Sequence, residues 1–118
     1  MIHSIAFIAY PVSDISGARR FYEDVLGLKM ARNFQDEWIE YDVGDTTFAI
    51  TTGDTKHVAG AKGGTVAFEV DDLDAFVKQL KDRNARFVME ITASPVCRSA
   101  IIADPDSNEV IIHKRHSA

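Results

Sequence analysis

Two stretches of the chain decide its fold: "IAYPVSDISGARRFYEDVLGL", residues 8–28, and "VAFEVDDLDAFVKQLKDRNAR", residues 66–86. They start 58 residues apart, almost half of the 118-residue chain, and can be laid over one another without a gap. In each, apolar residues first alternate with a period of two, as in a strand, and then recur at the spacing of a helix. The chain therefore contains an internal repeat of a strand followed by a helix.

Both helices of this repeat have start and stop signals. Asp14 in the first copy and Asp72 in the second stand where the helix begins. A short carboxylate there accepts from the free amides of the first turn and complements the helix dipole. The helices are expected to stop at Gly27 and Asn84, because both residue types tolerate left-handed backbone.

Three strand-like segments follow each helix, separated by turn-forming clusters such as "GDT" and "DPDSN". Their expected ranges are 29–35, 37–43 and 46–52 in the first half, and 86–92, 96–103 and 108–114 in the second. The predicted fold class is thus α+β, with two βαβββ modules that form cupped mixed sheets with the helices outside. The modules span about 1–52 and 64–118 of a single domain, and residues 53–63 form the loop between them.

Composition excludes several classes of function. The formal net charge of −5 and the absence of a run of lysine and arginine oppose binding to nucleic acid or an anionic membrane. No segment approaches the roughly 18 continuous apolar residues of a membrane-spanning helix. The one thiol, Cys97, has no internal disulfide partner, and the first residues do not read as a signal peptide. We expect a cytoplasmic protein.

Three blocks, "VSDISGARRFYEDVLGL", "FEVDDLDAF" and "DPDSNEVII", occur in the right order over the repeat. With them the whole chain resembles the vicinal oxygen chelate superfamily, which holds glyoxalases, extradiol dioxygenases, epimerases and bleomycin-resistance proteins. The resemblance implies paired βαβββ modules, a homodimer, and a ligand held in each cup.

The resemblance also identifies where metal-dependent members place their ligands. Phe7 stands at the position of the first-strand histidine, Thr65 at that of the second histidine, and Ile111 at that of the glutamate. Ala49 or Thr51 stands near the place of the fourth ligand. Divalent metals need several imidazole or carboxylate donors that converge. We therefore expect no metal and no other cofactor.

Strand alternation sorts the remaining side chains by face. The expected lining of the cup consists of Phe7, Trp38, Glu40, Thr51, Thr65, Glu69, Ile111 and His113. Arg98 joins this set if its side chain faces inward, but the irregular pattern of its strand leaves the orientations of Arg98 and Cys97 open. Trp38 is equally compatible with a sheet or dimer contact. His113, near the C-terminus, is more typical of a surface or structural histidine than of a catalytic one.

Apolar walls with a few carboxylates predict a pocket for an organic ligand, with cationic ligands favoured. The chain is similar to the bleomycin-resistance branch in its small size, acidic charge and missing metal ligands, which implies a small-molecule-binding protein that sequesters or senses such a compound. The alternative is a lyase, isomerase or dioxygenase. Such an enzyme needs substitute metal ligands, for example Glu69, Glu109 and His113, or a carboxylate base such as Glu40 or Glu69.

Overall fold

In a computed structural model of the chain, the described residues are 1, 4–54, 57–61 and 63–116. The chain divides into two compact units, Met1–Ala61 and Lys62–Ala118, and each unit contains one four-stranded sheet. Residues 55, 56 and 62 of the predicted loop lie outside the described residues, and its other residues form neither helix nor strand. That both modules belong to one domain stays a prediction.

Each unit follows the predicted element order. The first contains β1 (Ile8–Pro11), α1 (Ile15–Arg19) with a π-helical continuation (Arg20–Val25), β2 (Met30–Phe34), β3 (Trp38–Val43) and β4 (Thr46–Thr51). The second contains β5 (Val66–Glu69), α2 (Leu73–Asp82), β6 (Arg86–Ala93), β7 (Cys97–Ala103) and β8 (Glu109–Arg115). The α+β fold with two repeated βαβββ modules is confirmed.

The two sheets have the same topology. Their strand orders are β1-β4-β3-β2 and β5-β8-β7-β6. In each sheet the first strand pairs in parallel with the last, and the other neighbours are antiparallel. The last strand of each module therefore lies inside its sheet, where it has a neighbour on both sides.

The predicted helix caps are present. Asp14 Oδ2 accepts from the Gly17 amide over 3.2 Å, and Asp72 Oδ1 accepts from the Ala75 amide over 3.1 Å. After the helices, Gly27 has φ 81° and Asn84 has φ 60°. Both are in the left-handed region that ends a helix.

The first helix departs from a regular α-helix after Arg19. The Leu26 amide donates to the Phe21 carbonyl, five residues earlier, over 3.0 Å. This wider turn accompanies the burial of two consecutive aromatic residues, Phe21 and Tyr22, whose rings meet edge to face at 4.9 Å. Apolar spacing alone predicted only a helix here, because a π-helical turn has no separate sequence signature.

One face of each sheet carries the buried side chains that pack with its helix. They are Tyr10, Ile39, Tyr41, Phe48 and Ile50 in the first unit, and Val66, Ala100, Ile102, Val110 and Ile112 in the second. We call the opposite side of each sheet its distal face. Among the residues that the structure describes, no helix has the length and apolar character needed to cross a membrane.

Candidate functional site

The distal face of the first sheet carries an aromatic patch formed by Phe7, Phe34 and Trp38. The rings of Phe7 and Trp38 meet edge to face, with centroids 5.1 Å apart and planes at 86°. Phe34 lies directly opposite Trp38 in the pairing of β2 with β3. Phe7 is 50% exposed and Phe34 is 51% exposed. The patch thus offers aromatic surface to a ligand.

A charged cluster made of Arg32, Glu40 and Asp42, the Arg32 cluster, lies beside the patch. A register shift in β2 between Met30 and Arg32 places Arg32 opposite Glu40. The Arg32 guanidinium donates from Nε to Glu40, and from Nη2 to Asp42 Oδ1 over 2.5 Å. One guanidinium bound by two ionised carboxylates leaves the cluster with a net negative charge at neutral pH.

Glu40 uses both carboxylate oxygens within the protein. Besides the bond from Arg32, Trp38 Nε1 donates to Glu40 Oε2 over 2.8 Å. The Arg32 guanidinium, followed by the Trp38 N–H, holds the pKa of Glu40 below its ordinary range. Glu40 is therefore an ionised anchor for Trp38 rather than a base ready to accept a proton.

Thr51 lies on the same face, opposite Trp38 in the pairing of β3 with β4. Its side chain is buried, and Oγ1 accepts from the Gly53 amide over 2.9 Å. Thr51 thus stabilises the turn after β4. Ala49 is also buried and supplies no polar atom from its side chain.

On the distal face of the second sheet the structure brings Glu69 and His113 together. His113 Nδ1 lies 2.5 Å from Glu69 Oε1, and the Arg115 amide donates to Glu69 Oε2 over 2.8 Å. The Arg115 amide and then the His113 ring hold the pKa of Glu69 low. Ile111 lies on the same face two residues before His113, whereas Thr65 is exposed and precedes β5.

Arg98, whose orientation the sequence left open, does not lie on this face. It shares a side of β7 with the buried Ala100 and Ile102 and forms a two-pronged ion pair with Asp74, at 3.0 and 2.9 Å. Cys97 takes the other orientation, opposite Arg115, with its Sγ 3.5 Å from Ser94 Oγ. Arg98 therefore holds the first turn of α2.

The side chains at the metal positions of the family do not fit a divalent metal. Phe7 and Ile111 have no donor atom, the Thr51 hydroxyl already accepts from the Gly53 amide, and Thr65 offers one hydroxyl in an exposed segment before β5. Within 1, 4–54, 57–61 and 63–116, no three His, Cys, Asp or Glu side chains group as a metal would require. Glu109 lies opposite Ala103 at the start of β8, four residues before His113. At the rise of a strand, this spacing separates Glu109 from His113 by about 13 Å. The substitute set of Glu69, Glu109 and His113 therefore does not converge.

The chain has two βαβββ modules whose mixed sheets have equivalent strand orders, so its fold is that of proteins built from repeated βαβββ units. The sequence matches the Glyoxalase/Bleomycin resistance protein/Dioxygenase superfamily over residues 4–112, and the chain belongs to this superfamily. Comparison with curated proteins gives no match.

Solved structures of similar fold include an antibiotic-binding protein and a lyase. TnmS3, an antibiotic-binding protein from Streptomyces sp. CB03234, is 22% identical with a TM-score of 0.86, over 98% of both chains. A lactoylglutathione lyase from Agrobacterium tumefaciens is 21% identical with a TM-score of 0.77, over 96% of this chain and 94% of its own. A glyoxalase/bleomycin resistance protein from Streptomyces sp. CB03234 is 24% identical with a TM-score of 0.77, over 96% and 100%. These similarities show the fold.

Two residues of the first distal face, Arg32 and Phe34, are not among the predicted site residues. All five side chains of β2 are exposed, so the strand has no apolar alternation that assigns its faces. The sequence signal that could have found them is their separation by two residues, which places both side chains on the same face of a strand.

Proposed function

We propose that the protein binds a small organic molecule with a planar aromatic part and a positive charge on the distal face of the first sheet, without turning it over. The observation that carries this proposal is the edge-to-face pair of Phe7 and Trp38, in which Phe7 keeps half of its surface exposed beside the Arg32 cluster. Aromatic side chains give large apolar contact area, and their faces attract cations.

Within the Arg32 cluster, Asp42 is the carboxylate best suited to meet a cation. Both carboxylates have both oxygens hydrogen-bonded within the protein. The Asp42 side chain is 56% exposed, however, whereas the Glu40 side chain is 18% exposed. A ligand cation near Asp42 would meet the net negative charge of the cluster while its rings contact Phe7 and Trp38. The sequence predicts Glu40 and Glu69 as the carboxylates of the site, and Asp42 is an addition to that predicted set.

The likeness to TnmS3 supports a ligand of antibiotic type, because that protein is described as antibiotic-binding. The proposal includes no metal, since Phe7 and Ile111 at the ligand positions of the family have no donor atom. The protein would sequester or sense the compound.

A thermal-shift screen in EDTA tests the proposal. We expect stabilisation by cationic glycopeptide antibiotics or aromatic amines, and none by anionic glutathione thioesters. A ligand at ten to a hundred times its Kd adds about 1.4–2.7 kcal/mol to the free energy of unfolding. Phe7→Ala and Asp42→Asn should weaken binding, while Val96→Ala, an exposed apolar residue of the other unit, should not. The proposal is overturned if only anionic ligands bind, or if both site variants keep the wild-type affinity.

Mass spectrometry of the recovered ligand separates binding from turnover. Under the proposal, the compound is recovered unchanged after long incubation. If the wild type consumes the ligand and Phe7→Ala does not, the first distal face is a catalytic site and the protein is an enzyme.

We also propose that the protein acts as a cytoplasmic homodimer. The superfamily resemblance favours the dimer, and the single cysteine, which has no internal disulfide partner, fits a reducing compartment. Light scattering coupled to size-exclusion chromatography should give twice the chain mass of 13.1 kDa. A monomer mass across micromolar concentrations would contradict the dimer.

A further inference from the structure

A row of three polar side chains crosses the distal face of the second sheet. The parallel pairing of β5 with β8 places Glu69 opposite His113, and the antiparallel pairing of β7 with β8 places Ser99 on the other side of His113. A carboxylate, an imidazole and a hydroxyl are thus neighbours in one row. This row belongs to a different sheet from the aromatic patch and does not rest on the proposed function.

The hydrogen bonds of the row determine the tautomer of His113. Glu69 has a lowered pKa and is ionised, so its oxygens can only accept. His113 Nδ1, 2.5 Å from Glu69 Oε1, must therefore carry the proton. In the neutral ring Nε2 then has a free lone pair, and no side chain in the described part of the chain bonds to it. The Arg115 amide fixes the second oxygen of Glu69.

The surroundings of the ring are partly apolar. Ile111 precedes His113 on the same face, and Ile101 lies opposite Ile111 in the pairing of β7 with β8. The His113 side chain is 23% exposed, so part of the ring is accessible and most of it is covered. A histidine in a middle strand, held at Nδ1 by a carboxylate and accessible beside apolar side chains, has the arrangement of a general base.

We propose that His113 is a general base, positioned by Glu69, for a weakly acidic organic substrate with an apolar body. Nε2 takes the substrate proton, the electron pair of the broken bond stays on the substrate, and Glu69 stabilises the imidazolium. The Ser99 hydroxyl is on the side of the ring where a developing anion could accept from it. The proton then returns to another atom, which gives isomerisation, or passes to solvent after a leaving group departs.

The test substrate is 5-nitrobenzisoxazole, a planar apolar compound with one acidic C–H. Loss of that proton breaks its N–O bond and gives a coloured phenolate nitrile, with no oxidant, reductant or metal required. We expect the wild type to exceed an equal concentration of free imidazole, and His113→Gln to lose about 10²-fold in rate. Glu69→Gln should lower kcat about tenfold with little change in KM, since Glu69 acts through His113. Glu109→Gln, on the same face at the other end of β8, is the control and should keep the wild-type rate.

A second readout keeps the test independent of folding defects. Nitrogen NMR of the wild type should show His113 with its proton on Nδ1, and Glu69→Gln should change this to a mixture of tautomers. Circular dichroism and melting curves establish that each variant is folded. The proposal is overturned by any one of three results. The wild-type rate is no higher than that of free imidazole, or a folded His113→Gln variant keeps the wild-type rate, or the neutral His113 ring of the wild type carries its proton on Nε2.

Discussion

The indole N–H of Trp38 donates a hydrogen bond of 2.8 Å to Oε2 of Glu40, two residues along the same strand. Because Arg32 holds the other oxygen of Glu40, this bond connects the only tryptophan of the chain to the Arg32 cluster. The aromatic patch and the charged cluster therefore form one structural unit. Changes in either should alter the environment of the indole.

The contribution of Glu40 to stability should depend on pH. Its pKa is lowered in the folded protein, so the stabilisation is present above the ordinary carboxyl pKa of about 4.3 and is lost as the pH falls through the folded value. Melting curves should therefore show the largest deficit for Glu40→Gln near pH 7, and a smaller deficit below about pH 4. Glu37→Gln, in the preceding turn, is the control. A deficit that stays constant with pH would contradict this role.

A buried phenol links the first sheet to its helix. Tyr41 is fully buried, and its hydroxyl donates to Glu23 Oε2 over 2.9 Å, while Arg19 Nε donates to the same oxygen over 2.7 Å. Tyr41→Phe should lower the free energy of unfolding by about 1.5–3 kcal/mol, the range for hydrogen bonds to charged groups. Urea denaturation measures this. The double variant with Glu23→Gln should lose less than the sum of the single losses, and strict additivity would show that the bond contributes nothing.

The turn before β8 depends on Asp104, which is 1% exposed. Its carboxylate accepts from the Asp106 amide over 2.9 Å, and from the amide and side chain of Asn108 over 2.8 Å each. Asp104→Ala removes the acceptor of these three hydrogen bonds, and should lower the free energy of unfolding by at least about 2 kcal/mol. Asp45→Ala, in an exposed turn, should change stability by less than about 0.5 kcal/mol. Equal effects of both variants would contradict a structural role for the Asp104 carboxylate.

The helix ends offer a matched pair of backbone variants. Gly27 has φ 81°, and a Cβ added there meets no atom within 4 Å. Gly27→Ala should therefore cost about 1 kcal/mol from backbone strain alone. At Asn84, which has φ 60°, substitution by glycine should change the free energy of unfolding by no more than about 0.5 kcal/mol. Thermal unfolding of both variants checks the prediction, and an unaffected Gly27→Ala would show that the end of the first helix adjusts freely.

The sequence predicts most of the fold because local signals and the repeat agree. The caps at Asp14 and Asp72 and the left-handed residues Gly27 and Asn84 are each specified by residues close by in the chain. The π-helical turn at Arg20–Val25 is not predictable in this way, since its apolar spacing also fits an α-helix.

The candidate sites were less predictable because they depend on register between strands. Alternation assigned Glu69 and His113 to one face, but their contact requires the parallel pairing of β5 with β8 across 44 residues. Arg32 reaches Glu40 through a register shift that has no sequence signal. Arg98 pairs with Asp74, a partner on the helix rather than on its own strand, and strand alternation does not identify such a partner.

Ligand binding on the first distal face can be measured directly by a fluorescence titration of Trp38 with the strongest cationic aromatic ligand from the thermal-shift screen. Trp38 is the sole tryptophan, so its emission reports the first distal face. We predict a saturable change in emission, with the Kd that calorimetry gives for the same ligand and a weaker Kd in Phe7→Ala. If calorimetry shows saturable binding while the emission of Trp38 stays unchanged, the ligand binds elsewhere and the proposed site on the first distal face is wrong.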